Sequence, residues 1–337
     1  MRHFATIMIL ILTLNCFGQK YQFDKTKVSR QTQQIVAKIE KVNELMGSAV
    51  YYAGIRPKQF DNFTELQKKA PKDELMELTN HPNGVVRCYS FWALTYDTSI
   101  NLLPLLVKHI NDDESVNTQF GCIGSGEKVG DFFINLATPQ YVDLYSKKLD
   151  SANLNVIDSF LIYTPNNLYA KEKAISRAKL TDRLYLRVRD LVIKSKNQSV
   201  LVTLAKFQKE QDVPIILKNK TGNKFDDGYF FTYQAISEFP HPDFIPLLEE
   251  NLKKTLENDH YSTEWRELYK AIASYKNNKA VELLNIPFTQ VKHENIREYH
   301  IDFVFGAIQK FKSALYDNLL WKYGLTKRKF HLKSLNI

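Results

Sequence analysis

The chain has 337 residues, with 46 Lys and Arg, 37 Asp and Glu, and a hydrophobic content of 44%, which is enough for one large core or two ordinary domains. Its 12 Gly and 11 Pro are about half the usual share, so turn-forming residues are too few for a sandwich, barrel or propeller of many short strands. The hydrophobic and aromatic contents exclude a disordered chain. The composition therefore predicts a mainly helical body.

The first 18 residues have the build of a secretory signal peptide. Two basic-type residues precede an apolar run over residues 4–14, and small or turn-compatible residues follow it. The run is shorter than the about 20 residues that a bilayer span needs, so we expect cleavage near Gln19 and no transmembrane segment in the mature chain. This predicts a periplasmic or secreted protein. Lipidation of Cys16 is the alternative, although Asn15 fits such a site poorly.

Cleavage would leave two cysteines, Cys88 and Cys122, in a compartment where disulfides persist. They are 34 residues apart, so neighbouring helices could bring them together in a disulfide. The other interpretation is two buried thiols that pack as small apolar side chains. Neither cysteine belongs to a CxxC motif, so no structural zinc site is expected.

Without the leader the net charge is +8, which favours acidic partners. Residues 171–196 hold nine basic residues against three acidic ones. Leu184, Val188 and Leu191 mark an apolar helix face there, and basic side chains run alongside it. These side chains form either a solvated outer face or a ridge that binds an acidic protein, an anionic glycan or lipid headgroups. The candidate ridge residues are Arg177, Arg183, Arg187 and Lys194.

The chain contains an internal similarity of 14-residue windows. Each window opens with a small residue, carries Tyr or Phe near its fifth position and closes with two Leu or Ile residues. The last four windows start 32, 36 and 36 residues apart. This pattern predicts a helix, a turn and a second helix, repeated so that successive pairs share one core. The windows begin at Ala93, Thr203, Ala235, Ala271 and Ala307.

The segment over residues 74–117 resembles a HEAT repeat. Such units have a turn with Asn or Asp and Pro, a Val-Arg opening of the first helix, an Ala-Leu near its end, an apolar second helix and an acidic turn before the next Val. The matching positions are Asn80, Pro82, Val86, Arg87, Ala93, Leu94, residues 103–106, Asp112, Asp113 and Val116. Asn117 departs from the pattern, and a partial echo returns at His293, Asn295, Ile296 and Arg297.

The resemblance implies an all-α fold, an α-solenoid of about six or seven stacked hairpins with a concave surface that grips proteins. We expect this solenoid over residues 67–337 and capping helices over residues 19–66. Its second helices should begin near Ile100, Val213, Asp243, Lys279 and Ala314.

The segment GCIGSGEKVGD concentrates four glycines in ten residues. It lacks the Lys and Ser or Thr of a phosphate loop, and the helical pattern places a helix before it, so nucleotide binding is not expected. Either it is a simple loop between repeats, or its backbone binds an anion or another chain. The candidate residues are Gly124, Gly126, Lys128 and Asp131.

Catalytic and metal patterns are weak. The segment HENIREYH has Arg297 where a zinc-protease helix needs its second His. His293 and His300 are seven residues apart and could share a helix face, but their place in the repeat favours a helix start and a surface ring over a metal site. Neither a catalytic triad nor paired carboxylates stand out. No cofactor, metal or nucleic-acid ligand is therefore expected.

These observations favour a non-enzymatic scaffold of the cell envelope or secreted space, a monomer that binds a protein partner on a concave face or on the basic ridge. An enzyme on a helical-repeat frame, similar to a glycosylase or lyase, is the alternative. A dedicated immunity or structural envelope protein is a third possibility that the sequence does not separate from the first.

Overall fold

In a computed structural model, residues 21–139, 143, 145–194, 198–220 and 228–323 are described. The expected signal peptide, Cys16 and the basic residue Lys196 lie outside these ranges. The chain divides into two units, one reaching to Ala174 and the other starting at Ile175, and each is described by itself.

The first unit holds seven complete helices and three strands in its described residues. In chain order these are α1 Arg30–Val42, β1 Leu45–Val50, α2 Lys58–Lys69, α3 Lys72–Leu78, α4 Gly84–Thr95, α5 Leu103–Lys108, β2 Ser115–Gly121, β3 Ile123–Lys128, α6 Val129–Ala137 and α7 Ser151–Tyr163. Helix α8, Ala170–Arg177, crosses the boundary between the units.

Helix α4 forms the centre of the first unit. All of its residues are buried, because α1, α2, α3, α6 and strands β1 and β2 all pack against it. Its first turn is capped by the Asn83 side chain, which accepts a hydrogen bond from the Val86 amide at 3.1 Å. Aromatic rings surround the helix: Phe91 stacks on Phe133 with centroids 4.0 Å apart, and Trp92 stacks on Phe63 at 4.7 Å.

A three-stranded sheet corrects the prediction of an all-α fold. Strand β1 pairs with β2 in parallel, and β2 pairs with β3 in antiparallel orientation. Strand β2 forms because Val116 and Thr118 are buried on one face while Ser115 and Asn117 are exposed on the other, which is the alternation of a half-buried strand. Strand β1 lies inside the segment for which only capping helices were predicted.

The second unit is helical throughout its described residues. Its helices are α9 Asp182–Lys194, α10 Leu201–Ala205, α11 Val213–Lys218, α12 Phe230–Glu238, α13 Ile245–Glu257, α14 Glu264–Ala273, α15 Asn278–Asn285, α16 Pro287–Gln290, α17 Glu294–Lys310 and α18 Asp317–Lys322. Short 3₁₀ turns precede three of them, at Glu210–Asp212, Pro242–Phe244 and Ala314–Tyr316.

The four late sequence windows fall at matching places in these helices. Thr203, Ala235, Ala271 and Ala307 are all buried, because α10 packs on α12, α12 on α14 and α14 on α17. Each window continues through a turn into a second helix, namely α11, α13, α15 or α18. The prediction of a mainly helical protein is thus confirmed.

Within the described ranges, no helix combines the length and hydropathy of a bilayer span.

Candidate functional site

The glycine-rich segment forms the second half of a β-hairpin. Gly121 and Cys122 make a two-residue turn between Phe120 and Ile123, and Gly121 has φ +56°. Glycine at the first central position is typical of a type II′ turn, which matches the twist of the flanking strands. A strand therefore precedes the glycines, not a helix, and the prediction of a simple loop between repeats is wrong.

The hairpin register decides which main-chain groups of β3 remain exposed. A two-residue turn makes Phe120 and Ile123 a hydrogen-bonded pair, so Ser125 also directs its N–H and C=O toward β2. The main-chain groups of Gly124 and Gly126 then point away from the sheet. Among the described residues no other segment forms hydrogen bonds with them, and both glycines are exposed. We call these outward groups the β3 edge.

The opposite edge of the sheet is closed. The Tyr89 hydroxyl accepts a hydrogen bond from the Met46 amide at 2.8 Å and donates one to the Met46 carbonyl at 3.0 Å. Further along β1, Val50 and Ile55 exchange two main-chain hydrogen bonds of 2.9 Å. Unpaired strand edges promote association with other chains and are usually blocked. The fold therefore satisfies the β1 edge at Met46 and Val50, whereas the outward groups of Gly124 and Gly126 have no partner among the described residues.

Exposed apolar side chains cluster where the hairpin turns. The Tyr51 amide donates a hydrogen bond of 2.8 Å to the Gly121 carbonyl, which places the Tyr51–Ile55 turn beside the hairpin. Tyr52 is 99% exposed and Ile123 is 67% exposed. An apolar cluster of this kind is typical of an interaction surface. We call Tyr51, Tyr52, Ile55 and Ile123 the apolar tip.

Lys128 and Asp131 do not belong to the exposed edge, although the sequence grouped them with the glycines. The Lys128 ammonium donates a hydrogen bond to the Asn167 carbonyl and lies 4.2 Å from the centre of the Tyr169 ring. Asp131 is 2% exposed and accepts hydrogen bonds from the amides of Tyr169 and Ala170 at 3.0 and 2.7 Å. Burial nonetheless raises the pKa of Asp131 above its usual value. Both side chains hold the start of α8 in place.

The structure does not join Cys88 and Cys122, which are both free thiols. Cys88 is buried within α4 and Cys122 is exposed at the hairpin turn. The disulfide interpretation is therefore corrected, and so is the interpretation of two buried thiols, because only Cys88 packs in the core. Burial raises the pKa of the Cys88 thiol well above its usual value.

The two thiols should differ sharply in reactivity. With a maleimide at neutral pH, we expect Cys122 to react on mixing and Cys88 to react only after unfolding, because the reactive thiolate needs access to solvent. Mass spectrometry of peptides from native and denatured protein measures both rates. Equal labelling of the two residues in native protein would contradict the burial of Cys88, and a C122S variant identifies the fast site.

The basic ridge lies in the second unit and at its boundary. Leu184, Val188 and Leu191 are buried as predicted. Asp190 lies 2.6 Å from the Lys194 ammonium and 3.7 Å from the Arg187 guanidinium, so the helix partly neutralises its own ridge. Arg183 on α9 and Arg177 at the end of α8 are exposed. The structure brings the ridge residues Arg183, Arg187 and Lys194 to one side of α9.

The residues that resemble a HEAT repeat meet in a buried ion cluster in the first unit. Arg87 donates five hydrogen bonds: two to the Asp112 carboxylate at 3.0 and 3.1 Å, one to Glu114, and one each to the carbonyls of His81 and Pro82. All of its donors are thus used. The cluster ties the first turn of α4 to the segment before β2.

His109 completes this cluster. Its Nδ1 lies 3.1 Å from the Asp112 carboxylate, and the Tyr21 ring stacks on it at 4.4 Å. Burial lowers the pKa of His109 below its usual value, which favours the neutral ring at pH 7. Nδ1 then donates to Asp112, and Nε2 has no hydrogen-bond partner among the described residues. The adjacent pocket has a volume of about 450 Å³. Because Arg87 and His109 already occupy the Asp112 carboxylate, the arrangement stabilises the fold and provides no free base.

The two histidines of HENIREYH do not come together as ligands. His300 is fully buried, stacks on Trp265 at 4.6 Å and lies 2.7 Å from the Tyr269 hydroxyl, whereas His293 precedes α17. Within the described ranges, no group of three His, Cys, Asp or Glu side chains has the arrangement of a metal site.

The apolar tip and the edge character of β3 were not predicted from the sequence. The available signal was the alternation of Val116, Thr118 and Phe120, followed by glycine and Ile123, which is typical of a hairpin.

No protein-family model, no curated protein and no solved structure matches the chain.

Proposed function

We propose that this protein is a protein-interaction module whose first unit binds an extended segment of a partner as a fourth strand along the β3 edge. The observation that carries the proposal is the contrast between the two edges of the sheet. Tyr89 closes the edge at Met46, while no described residue bonds the outward groups of Gly124 and Gly126. Strand addition uses such groups for affinity and takes specificity from neighbouring side-chain pockets.

Glycine suits this role because a partner strand can approach a backbone that has no side chains. The ladder supplies hydrogen bonds at Gly124 and Gly126, and the apolar tip supplies contact area at the end of the hairpin. The expected partner segment is therefore extended, free of proline over about four residues, and carries apolar side chains next to the tip. This chemistry describes a polypeptide rather than a nucleic acid or a glycan, since neither of these extends a β-ladder.

The test removes one outward amide without altering the pairing of β3 with β2. In a Gly126→Pro variant the lost N–H faces away from the sheet, where proline is tolerated. Peptides selected from a random display library on the wild-type protein should bind the variant at least ten-fold more weakly by calorimetry. On binding, hydrogen exchange of the Gly124 and Gly126 amides should slow in the wild type.

Ser125→Ala is the matched control. The main-chain groups of residue 125 face β2, so this substitution should leave peptide affinity unchanged. Equal affinity for the wild type and Gly126→Pro would refute strand addition. So would a wild-type dimer that Gly126→Pro converts to a monomer, since a second copy would then occupy the edge.

The finer architecture is also a proposal. We propose that α10, α12, α14 and α17, with their following helices, are successive HEAT-like hairpins. Three observations support this: consecutive first helices pack on one another, the four window residues are buried, and Gln208 and Lys276 adopt positive φ at equivalent turn positions, five residues after Thr203 and Ala271. Export remains an expectation from residues 1–18.

A further inference from the structure

A cleft of about 720 Å³ lies between α4 and the sheet in the first unit. The backbone of residues 47–49 forms one side of it. Aromatic rings from four separate segments line much of the rest, and one carboxylate lies among them. These side chains are Phe60, Trp92, Tyr96, Phe120, Tyr145 and Asp143. The volume of the cleft is within the range of small-molecule sites. We call this cleft the aromatic cleft.

Uncharged donors hold the Asp143 carboxylate in position. The Trp92 indole N–H donates to Oδ2 at 2.6 Å, the Tyr96 hydroxyl donates to the same oxygen at 3.0 Å, and the Tyr145 amide donates to Oδ1 at 3.0 Å. Burial, followed by the Asp143 charge, raises the pKa of Tyr96, so the hydroxyl stays protonated. These bonds orient the carboxylate and bring it no positive charge, since all three donors are neutral.

A cationic side chain also lies close to this carboxylate. The Asp143 charge acts on the Lys148 ammonium, although burial dominates and lowers the pKa of Lys148. This ammonium donates to the Leu136 carbonyl at 2.8 Å and to the Ser146 hydroxyl at 2.6 Å. Lys148 is not part of the cleft wall. A cation in the cleft would therefore approach the carboxylate from a side that Lys148 does not line.

The aromatic walls favour positive charge as well. The face of an aromatic ring carries negative potential and attracts ammonium and guanidinium groups. Phe60 already receives such a group, because the Arg56 guanidinium lies 4.8 Å from its ring centre. Tyr145 is 85% exposed and stands at the mouth, where it can contact a ligand without supporting the core. A carboxylate among several aromatic rings is the arrangement that binds an organic cation with apolar substituents.

We propose that the aromatic cleft binds an organic ammonium ion, with Asp143 supplying the charge and the aromatic rings supplying cation–π contacts. The ligand is either a free small molecule or a lysine-type side chain of a bound polypeptide. The proposal is independent of strand addition at the β3 edge, because none of its residues supplies an outward amide of that edge.

Calorimetric titration with choline tests the charge requirement. Wild-type protein should bind choline at least ten-fold more tightly than 3,3-dimethylbutan-1-ol, which has the same shape without the charge. An Asp143→Asn variant keeps an oxygen that accepts from Trp92 and should lose this preference. Tyr145→Ala should weaken choline binding several-fold without unfolding the protein, because the ring is exposed.

Asp73→Asn is the matched control, since Asp73 is an exposed carboxylate in the first turn of α3, and it should bind choline as the wild type does. A parallel titration with Nα-acetyl-lysine amide distinguishes the two sources of the ligand. Tighter binding of choline indicates a free small molecule, tighter binding of the lysine amide indicates a side chain, and either result supports the proposal. Failure of both to bind would overturn it, as would equal choline affinity in Asp143→Asn. Gly126→Pro should bind choline normally, so the two proposals can fail separately.

Discussion

Replacing Arg87 with methionine is expected to lower the free energy of unfolding by about 3–5 kcal/mol. The side chains of Arg87 and Asp112 are 3% and 1% exposed, so the substitution leaves a buried carboxylate without its cation. Burial by itself would raise the pKa of Asp112, but the hydrogen bond from His109 and the Arg87 charge outweigh it and hold that pKa below its usual value. Urea denaturation at pH 7 measures the loss.

The control is Arg56→Met, which breaks an ion pair of 2.7 Å between half-exposed side chains, Arg56 and Asp61. Exposed pairs contribute up to about 1 kcal/mol. Adding Asp112→Asn to Arg87→Met should restore part of the stability, because the uncompensated charge is then removed. If Arg87→Met cost no more than Arg56→Met, the prediction that the buried cluster stabilises the start of α4 would be wrong.

Acid should destabilise the second unit through His300. Burial lowers the pKa of His300 to about 4, while the unfolded chain has the ordinary value near 6.5. The unfolded state therefore binds more protons between these two values, so the stability from this group is complete above pH 6.5 and is lost as the pH falls to 4. The expected loss is about 3 kcal/mol.

His300→Phe keeps a ring next to Trp265 and removes the titrating group. Whatever it costs at pH 7, this variant should lose about 3 kcal/mol less on acidification to pH 4 than the wild type does. Guanidinium denaturation at both pH values, followed by tryptophan fluorescence, gives the difference. His260→Phe is the control, since that side chain is 77% exposed. An unchanged pH dependence in His300→Phe would contradict the prediction.

The helical part of the fold was accessible from the sequence because apolar spacing repeats locally. Val213 was expected to begin a second helix and does begin α11; Lys279 lies one residue inside α15, and Ala314 opens the 3₁₀ turn before α18. In each case the apolar spacing of a single helix marks the face that it buries. A sequence pattern of period 3.6 reports such a face directly.

The sheet was not predicted because the HEAT-repeat pattern was continued into a further repeat after the acidic turn. Val116 was taken as the start of the next first helix, whereas Asn117 and Thr118 continue an alternating pattern that is typical of a strand. Strand β1 had weaker signals, since Gly47 and Ser48 interrupt its apolar run. Its pairing with β2 depends on the packing of α4 and has no local signature.

The aromatic cleft could not be predicted for a different reason. Trp92 stacks on Phe63 in the core, yet its indole N–H also bonds Asp143, which is 51 residues away in the sequence. No spacing rule connects such residues. The glycines of β3 were recognised as unusual. The outward direction of their main-chain groups follows from the hairpin register, and that register was not predicted.

The parallel pairing of β1 and β2 has a consequence for how the chain reaches its native state. Leu45 pairs with Thr118, about 70 residues later, whereas the β2–β3 hairpin closes over two residues and forms locally. Loop closure over such a distance is slow, so β1, although synthesised first, must wait for its partner. During that interval both strands of the nascent hairpin have an unpaired edge, and these edges can pair with other chains. Pairing with β1, whose own outer edge Tyr89 closes at Met46, ends this vulnerable period on the β2 side of the hairpin only.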